Sequence, residues 1–202
     1  MDALWEKEAS HLGTYVRWAD DLVIVCRSQG AADQAHQWLQ GRARALHLQT
    51  HPEKTRVVTL ASGGAGFDFL GYHHRLVRSR RWKRWYCHCW PSRRAMASVR
   101  SKIREITAPR ARLKWPVGDL VSELNPVLRG WGNYFGRGNS ARKFTQIDNY
   151  VRLRLALFDM KKRRKRGWWR VGTYTTPDWY SRLNVYRLAG TINYHGKATA
   201  LT

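Results

Sequence analysis

Short β-branched runs fill the first third of the chain, and apolar positions three and four apart fill the middle. Leu22-Val23-Ile24-Val25-Cys26 is apolar and five residues long, which predicts a buried strand. Thr14 to Trp18 leads into it through Ala19-Asp20-Asp21, so the two segments predict a hairpin with adjacent aspartates at its tight turn. Ser28 to Ala31 predicts a turn. From Ala35, the residues Trp38, Leu39, Ala43 and Leu46 mark one helix face, which His51-Pro52-Glu53 ends. Arg56 to Leu60 is a second strand candidate, and Gly63-Gly64-Ala65-Gly66 turns the chain. Phe67 to Leu76 predicts a third strand, with Trp85 to Trp90 as its partner across the basic turn Arg78 to Arg84.

Helical spacing then takes over. Ser92 is a good N-cap for a helix over 92–107, whose apolar stripe is Met96, Val99, Ile103 and Ile106. Pro109 and Pro116 bracket a linker. A second helix spans 119–135 through Leu120, Leu124, Val127, Leu128 and Trp131, where Pro126 must kink it or sit in its first turn. Trp131 lies on that stripe and is expected in the core. After the Gly136 to Asn139 turn, Ser140 caps a third helix over 140–166 with Phe144, Ile147, Val151, Leu155 and Phe158 facing inward. It closes on Lys161 to Arg166, and cations suit a helix C-terminus. The segment 167–202 is aromatic and irregular. The fold class expected is α+β, with no internal repeat.

Composition adds a partner to this outline. The chain has 202 residues, 43% of them hydrophobic and eleven of them Trp, so it can bury a core. It also carries 37 Lys and Arg against 14 Asp and Glu, a net charge of +23. Such a surface repels itself unless a polyanion neutralises it, and the abundance of aromatics favours a folded nucleic-acid binder over a histone-like tail or a small-molecule enzyme. The excess is uneven. Residues 1–70 hold seven basic and eight acidic residues, while 71–202 hold 30 basic and six acidic, a net of +24. No apolar run reaches membrane-spanning length, so no membrane partner is expected. The N-terminus lacks the basic start and apolar stretch of a signal peptide. Three cysteines make no disulfide framework, which points to a reducing cytoplasm.

Asp20-Asp21 is the candidate for chemistry. Adjacent carboxylates repel, and a divalent cation relieves them; Mg²⁺ takes one or two carboxylates plus substrate phosphates. On these residues alone a polar turn is the commoner outcome. Cys87-His88-Cys89, with His73-His74 on the partner strand, suggests zinc, but one intervening residue is unusual spacing for a zinc pair. Small buried hydrophobes in a hairpin are the expectation there. Trp82, Trp85, Trp168 and Trp169 lie inside basic runs and are candidates for stacking on bases.

Four segments in order then carry a resemblance. Tyr15-Val16-Arg17-Trp18-Ala19-Asp20-Asp21-Leu22-Val23-Ile24 resembles the catalytic hairpin of reverse transcriptases, with Trp18 where that family usually has tyrosine. His51-Pro52-Glu53-Lys54-Thr55 resembles the next palm element. Phe67-Asp68-Phe69-Leu70-Gly71-Tyr72 resembles the primer-grip segment. Leu124 to Phe135 (Leu-Asn-Pro-Val-Leu-Arg-Gly-Trp-Gly-Asn-Tyr-Phe) resembles the thumb signature of group II intron-encoded reverse transcriptase/maturases.

The resemblance implies a partial palm over 1–76, a basic hairpin and primer-grip connection over 77–91, a helical maturase (thumb) domain over 92–166, and a basic aromatic segment over 167–202. It implies that Asp20 and Asp21 bind Mg²⁺ and that Lys54 assists the leaving pyrophosphate. Phe69, Leu70 and Gly71 would seat the primer. Group II intron RNA would meet Arg80, Arg81, Lys83, Arg84, Arg93, Arg94, Arg100, Arg104 and Lys161, Lys162, Arg163, Arg164, Lys165, Arg166. The family's fingers and first palm half, with a further metal-binding aspartate, are not in this chain, so primer extension by it alone is not expected and the two-metal site is incomplete. Two alternatives follow: a non-catalytic RNA-binding splicing module, or half of a split reverse transcriptase whose partner chain supplies fingers and palm. A decayed reading frame is the third. Target DNA is a further implied partner, and the implied location is a bacterial-type cytoplasm, with nucleoid and RNA.

Overall fold

The computed structural model describes residues 1–61, 63–79, 83–164 and 181–192. They divide into two compact units, 1–70 and 71–202. The fold is α+β, with strands in short hairpins and α-helices in both units. Among the described residues, no helix is long and apolar enough to cross a membrane.

In the first unit, helix α1 (Asp2–Glu8) precedes the hairpin of β1 (Gly13–Trp18) and β2 (Asp21–Cys26), and helix α2 (Gln29–Ala45) follows it. β1 and β2 run antiparallel, pairing Gly13 with Cys26 and Trp18 with Asp21. Period-2 alternation turns Tyr15, Ile24 and Cys26 toward a small core of Trp5, Ala9 and Ala35. That core is aromatic. Trp5 stacks on Tyr15 at 5.4 Å and meets Trp38 edge-on at 5.1 Å. The Trp38 indole donates to Glu8 at 3.0 Å, and Arg42 pairs with the same carboxylate at 2.7 Å. The other hairpin face is open: Val16, Trp18 and Val25 are 45, 69 and 49% exposed.

Three local expectations change here. α2 starts at Gln29 rather than near Ala35, because the Ser28 hydroxyl accepts from the Ala31 N–H and caps it. It stops at Ala45, before His51-Pro52, as His47 turns left-handed at φ 54°. Arg56 to Leu60 belongs to no strand, since a ladder needs a partner edge as well as β-branched residues. Phe67 to Leu76 is not one strand either. β3 (Phe67–Phe69) ends at Leu70 and Gly71, which have φ of 46° and 75°, and β4 (Tyr72–Arg78) begins after them. Glycine accepts that conformation readily and leucine does not.

In the second unit, β4 pairs antiparallel with β5 (Trp85–Pro91), from Tyr72 opposite Pro91 to Arg78 opposite Trp85. Helices α3 (Arg93–Thr107), α4 (Val117–Phe135) and α5 (Ala141–Lys162) pack together. The Ser92 hydroxyl accepts from the Ala95 N–H and starts α3 as expected. Ser140, by contrast, makes no side-chain cap to α5. Pro126 lies inside α4, exposed, where its missing N–H costs one helical bond. α5 ends at Lys162 rather than Arg166.

The core of this unit joins Met96, Val99 and Ile103 to Val121, Leu124, Leu128 and Phe135, and to Phe144, Ile147, Val151 and Leu155. Trp131 is partly buried against it. The last member is Leu188, fully buried, from a segment that sequence alone leaves irregular. Two polar side chains hold that segment. Asn125 donates to the Asn184 carbonyl at 3.1 Å and accepts from the Tyr186 N–H at 2.7 Å. The buried Asp148 carboxylate accepts from the Leu188 and Ala189 N–H groups at 3.0 and 2.8 Å. Burial pushes its pKa up, against the pull of those two donors.

Candidate nucleic-acid interface

The 3.6-residue period that buries Met96, Val99 and Ile103 also places the arginines of α3. Arg93, Arg100 and Arg104, spaced seven and four apart, share one flank, and Arg94 lies further round. Arg93, Arg94 and Arg104 are exposed. Arg100 is half-buried, its guanidinium 5.9 Å from the Tyr150 ring on α5. Beside it, Arg154 of α5 donates to the Thr107 hydroxyl at 2.9 Å, which donates on to the Ile103 carbonyl at 2.7 Å. The α3–α5 seam is thus lined with guanidinium groups fixed by neighbours.

Lys161, Lys162, Arg163 and Arg164 are exposed at the end of α5, where carbonyl dipoles favour cations. Lys162 donates to the Trp115 carbonyl, and Arg163 pairs with buried Asp159 at 2.8 Å. The 3-10 helix Arg110–Lys114 packs on α5. Its Arg112 pairs with Glu123 of α4 and lies 4.9 Å from the Trp115 ring. At the hairpin, Arg78, Lys83 and Arg84 are exposed, and the Arg78 guanidinium is 5.9 Å from the half-buried Trp85 ring. Arg80, Arg81, Lys165 and Arg166 lie outside the described residues, as do Trp82, Trp168 and Trp169.

The acids of this unit do little to balance those cations. Among the described residues, Glu123 and Asp159 are ion-paired, Asp148 faces backbone donors, and only Glu105 and Asp119 stand exposed among the many cations. The positive surface therefore stands nearly uncompensated, which suits a phosphate backbone.

Cys87 and Cys89 depart from expectation. Cys87 is exposed and Cys89 half-buried, rather than both buried. Residues of a strand alternate in direction, so both share a face with His74, which pairs with Cys89. Burial and the neighbouring thiol push the Cys87 thiol up, and burial does the same to Cys89. Among the described residues, no group of three His, Cys, Asp or Glu gathers for a metal.

In the first unit, Asp20 and Asp21 are exposed at the hairpin tip. Ala19, at φ 53°, makes the turn, and Arg17 braces it by donating to the Ala19 carbonyl at 3.1 Å while pairing with Asp2 at 2.6 Å. Two exposed carboxylates suit one hydrated Mg²⁺, not a protein-built two-ion clamp. Lys54 is exposed in the turn closed by its N–H on the His51 carbonyl at 3.1 Å. Phe69 and Leu70 are half-buried, and Gly71 follows them in the left-handed turn. A Cβ on Gly71 would stand 3.3 Å from the Phe135 ring.

Sequence reasoning missed the Arg112, Trp115 and Lys162 grouping. Trp115 sits in what the two prolines mark as a linker, and only the fold brings α5 to it.

No curated protein matches the chain. Residues 96–175, which take in α4, α5 and nearly all of α3, match the family model described as group II intron, maturase-specific domain, and the chain carries that domain.

Proposed function

We propose that the chain binds group II intron RNA through the cationic surface of its second unit and assists splicing. The observation that carries this reading is the match to the maturase-specific domain falling inside a unit that holds 30 basic residues against six acidic ones. A-form RNA presents phosphates and 2′-hydroxyls across a shallow groove, so shape and charge govern recognition. Arg93, Arg100 and Arg104 form one contact line, with Arg94 further round the same helix, and Lys161 to Arg164 form another. Filter binding to a structured group II intron RNA and to duplex DNA, across a salt series, tests it. Tighter RNA binding at every salt supports the reading; equal, salt-steep binding to both reduces the chain to a polycation.

For the first unit, we infer a palm remnant that does not extend a primer by itself. Asp20 and Asp21 would hold Mg²⁺, which when bound supplies charge neutralisation at a reacting phosphate. Lys54 would stand toward leaving pyrophosphate, and Phe69, Leu70 and Gly71 toward a primer end. The two-carboxylate tip supports the need for further ligands, from a partner chain carrying fingers and palm. A primer-extension assay with Mg²⁺ on poly(A)/oligo(dT) checks this. Incorporation by the chain alone that Asp20→Ala abolishes would overturn it. Target DNA and a cytoplasmic location remain part of the same proposal.

A further inference from the structure

We propose that the Trp115 indole is a stacking platform for an unpaired nucleobase of the bound RNA. This deepens the RNA-binding reading above and rests on it. Trp115 is 38% exposed, among the more open of the large apolar side chains described. It is also held in place. The Arg112 guanidinium lies 4.9 Å from its ring centroid, and that guanidinium is itself fixed, donating to Glu123 and, at 3.3 Å, to the Ile106 carbonyl. The Trp115 N–H donates to the Arg112 carbonyl at 2.9 Å, its carbonyl accepts from Lys162, and Pro116 restricts its backbone to the extended region.

An indole backed on one face by a guanidinium, on a backbone held at both its N–H and its carbonyl, offers its other face as a flat apolar surface with less entropy to lose on stacking. Its surroundings select the ligand. Lys114 precedes it in the chain, Arg112 lies over its ring, and Lys162 reaches its carbonyl from the end of α5, with Lys114 and Lys162 exposed. Cations around an aromatic plane are the arrangement that tracks a nucleic-acid backbone while a base stacks. Paired bases are stacked already, so the platform favours a single-stranded or looped stretch over a duplex.

The test uses the full chain, an oligouridine strand carrying one 2-aminopurine, and a fully paired RNA hairpin as duplex probe. Trp115→Ala is expected to weaken single-strand binding about tenfold and to leave the salt slope unchanged, because no charge is lost. Duplex binding should stay as it is. Binding to the native chain should quench 2-aminopurine, and Trp115→Ala should not. Trp115→Phe, which keeps a stacking ring and guards against a folding defect, should restore most of the affinity. An unchanged single-strand Kd, or equal losses on both probes, overturns the platform and leaves RNA binding standing. Failure of the native chain to bind either probe overturns both.

Discussion

A Cβ on Gly132 would stand 2.6 Å from Cδ2 of Leu188. Leu188 is fully buried, so its side chain has no room to swing aside. Gly132→Ala therefore trades a helix-propensity gain of about 1 kcal/mol for overpacking of roughly 1–3 kcal/mol, a net loss of about 1 kcal/mol. Leu188→Ala alone should cost about 2–5 kcal/mol by opening a cavity. Combined, the two should cost less than their sum, because each relieves the other's fault. Urea midpoints of the three variants measure this; strict additivity would show that the two residues do not press on each other.

Asp148 holds two backbone N–H groups in a buried site. Asparagine can accept one of them with its oxygen but turns an NH₂ toward the other. Asp148→Asn should thus destabilise by about 1–3 kcal/mol, the cost of an orphaned buried donor. Amide exchange at Leu188 and Ala189 should rise with it. An unchanged exchange rate at both would remove the carboxylate from its role.

Tyr72 gives a pH signature. Its hydroxyl donates to the Tyr134 carbonyl, and burial, with the Cys89 and Tyr134 groups nearby, pushes its pKa up to about 12. The neutral form is the one the fold favours. Its contribution is complete below the ordinary value of 10 and is lost as pH rises from 10 to 12. Tyr72→Phe should cost about 1 kcal/mol at neutral pH. The gap between the two proteins should close across that alkaline window, as followed by denaturant midpoints. A gap that persists above it contradicts the assignment.

On the RNA surface, exposed Arg93 and Arg104 are expected to meet phosphates. The double variant Arg93→Ala/Arg104→Ala should lower the slope of log K against log salt by about two and weaken binding alike for different intron sequences. A loss confined to one sequence would make these arginines readers of bases instead.

The helices were legible because their signals are local. Ser92 with Met96, Val99 and Ile103 spells out a capped amphipathic helix without help from the rest of the chain. The failures came where the deciding partner is remote. Arg56 to Leu60 has strand composition but no edge to pair with. Leu188 lies in a stretch with neither helical nor strand period, and only Asn125 and Asp148, some 60 and 40 residues earlier, show where it goes. α1 escaped notice because a seven-residue helix gives barely two turns of pattern. The site divides in the same way. The arginines of α3 and the carboxylates of the hairpin are written in runs, whereas Arg112 and Trp115 share the 3-10 helix and its cap, and Lys162 joins them from α5 only in the fold.

The clasp formed by residues 184–189 also sets where this domain ends. The family match stops at residue 175, yet Leu188 lies beyond it and completes the core. A polypeptide cut at the end of the match would keep all three helices and still lack one wall of its interior. During synthesis the bundle stays unfinished until residue 189 has left the ribosome, so all three helices emerge before the residue that closes their interior.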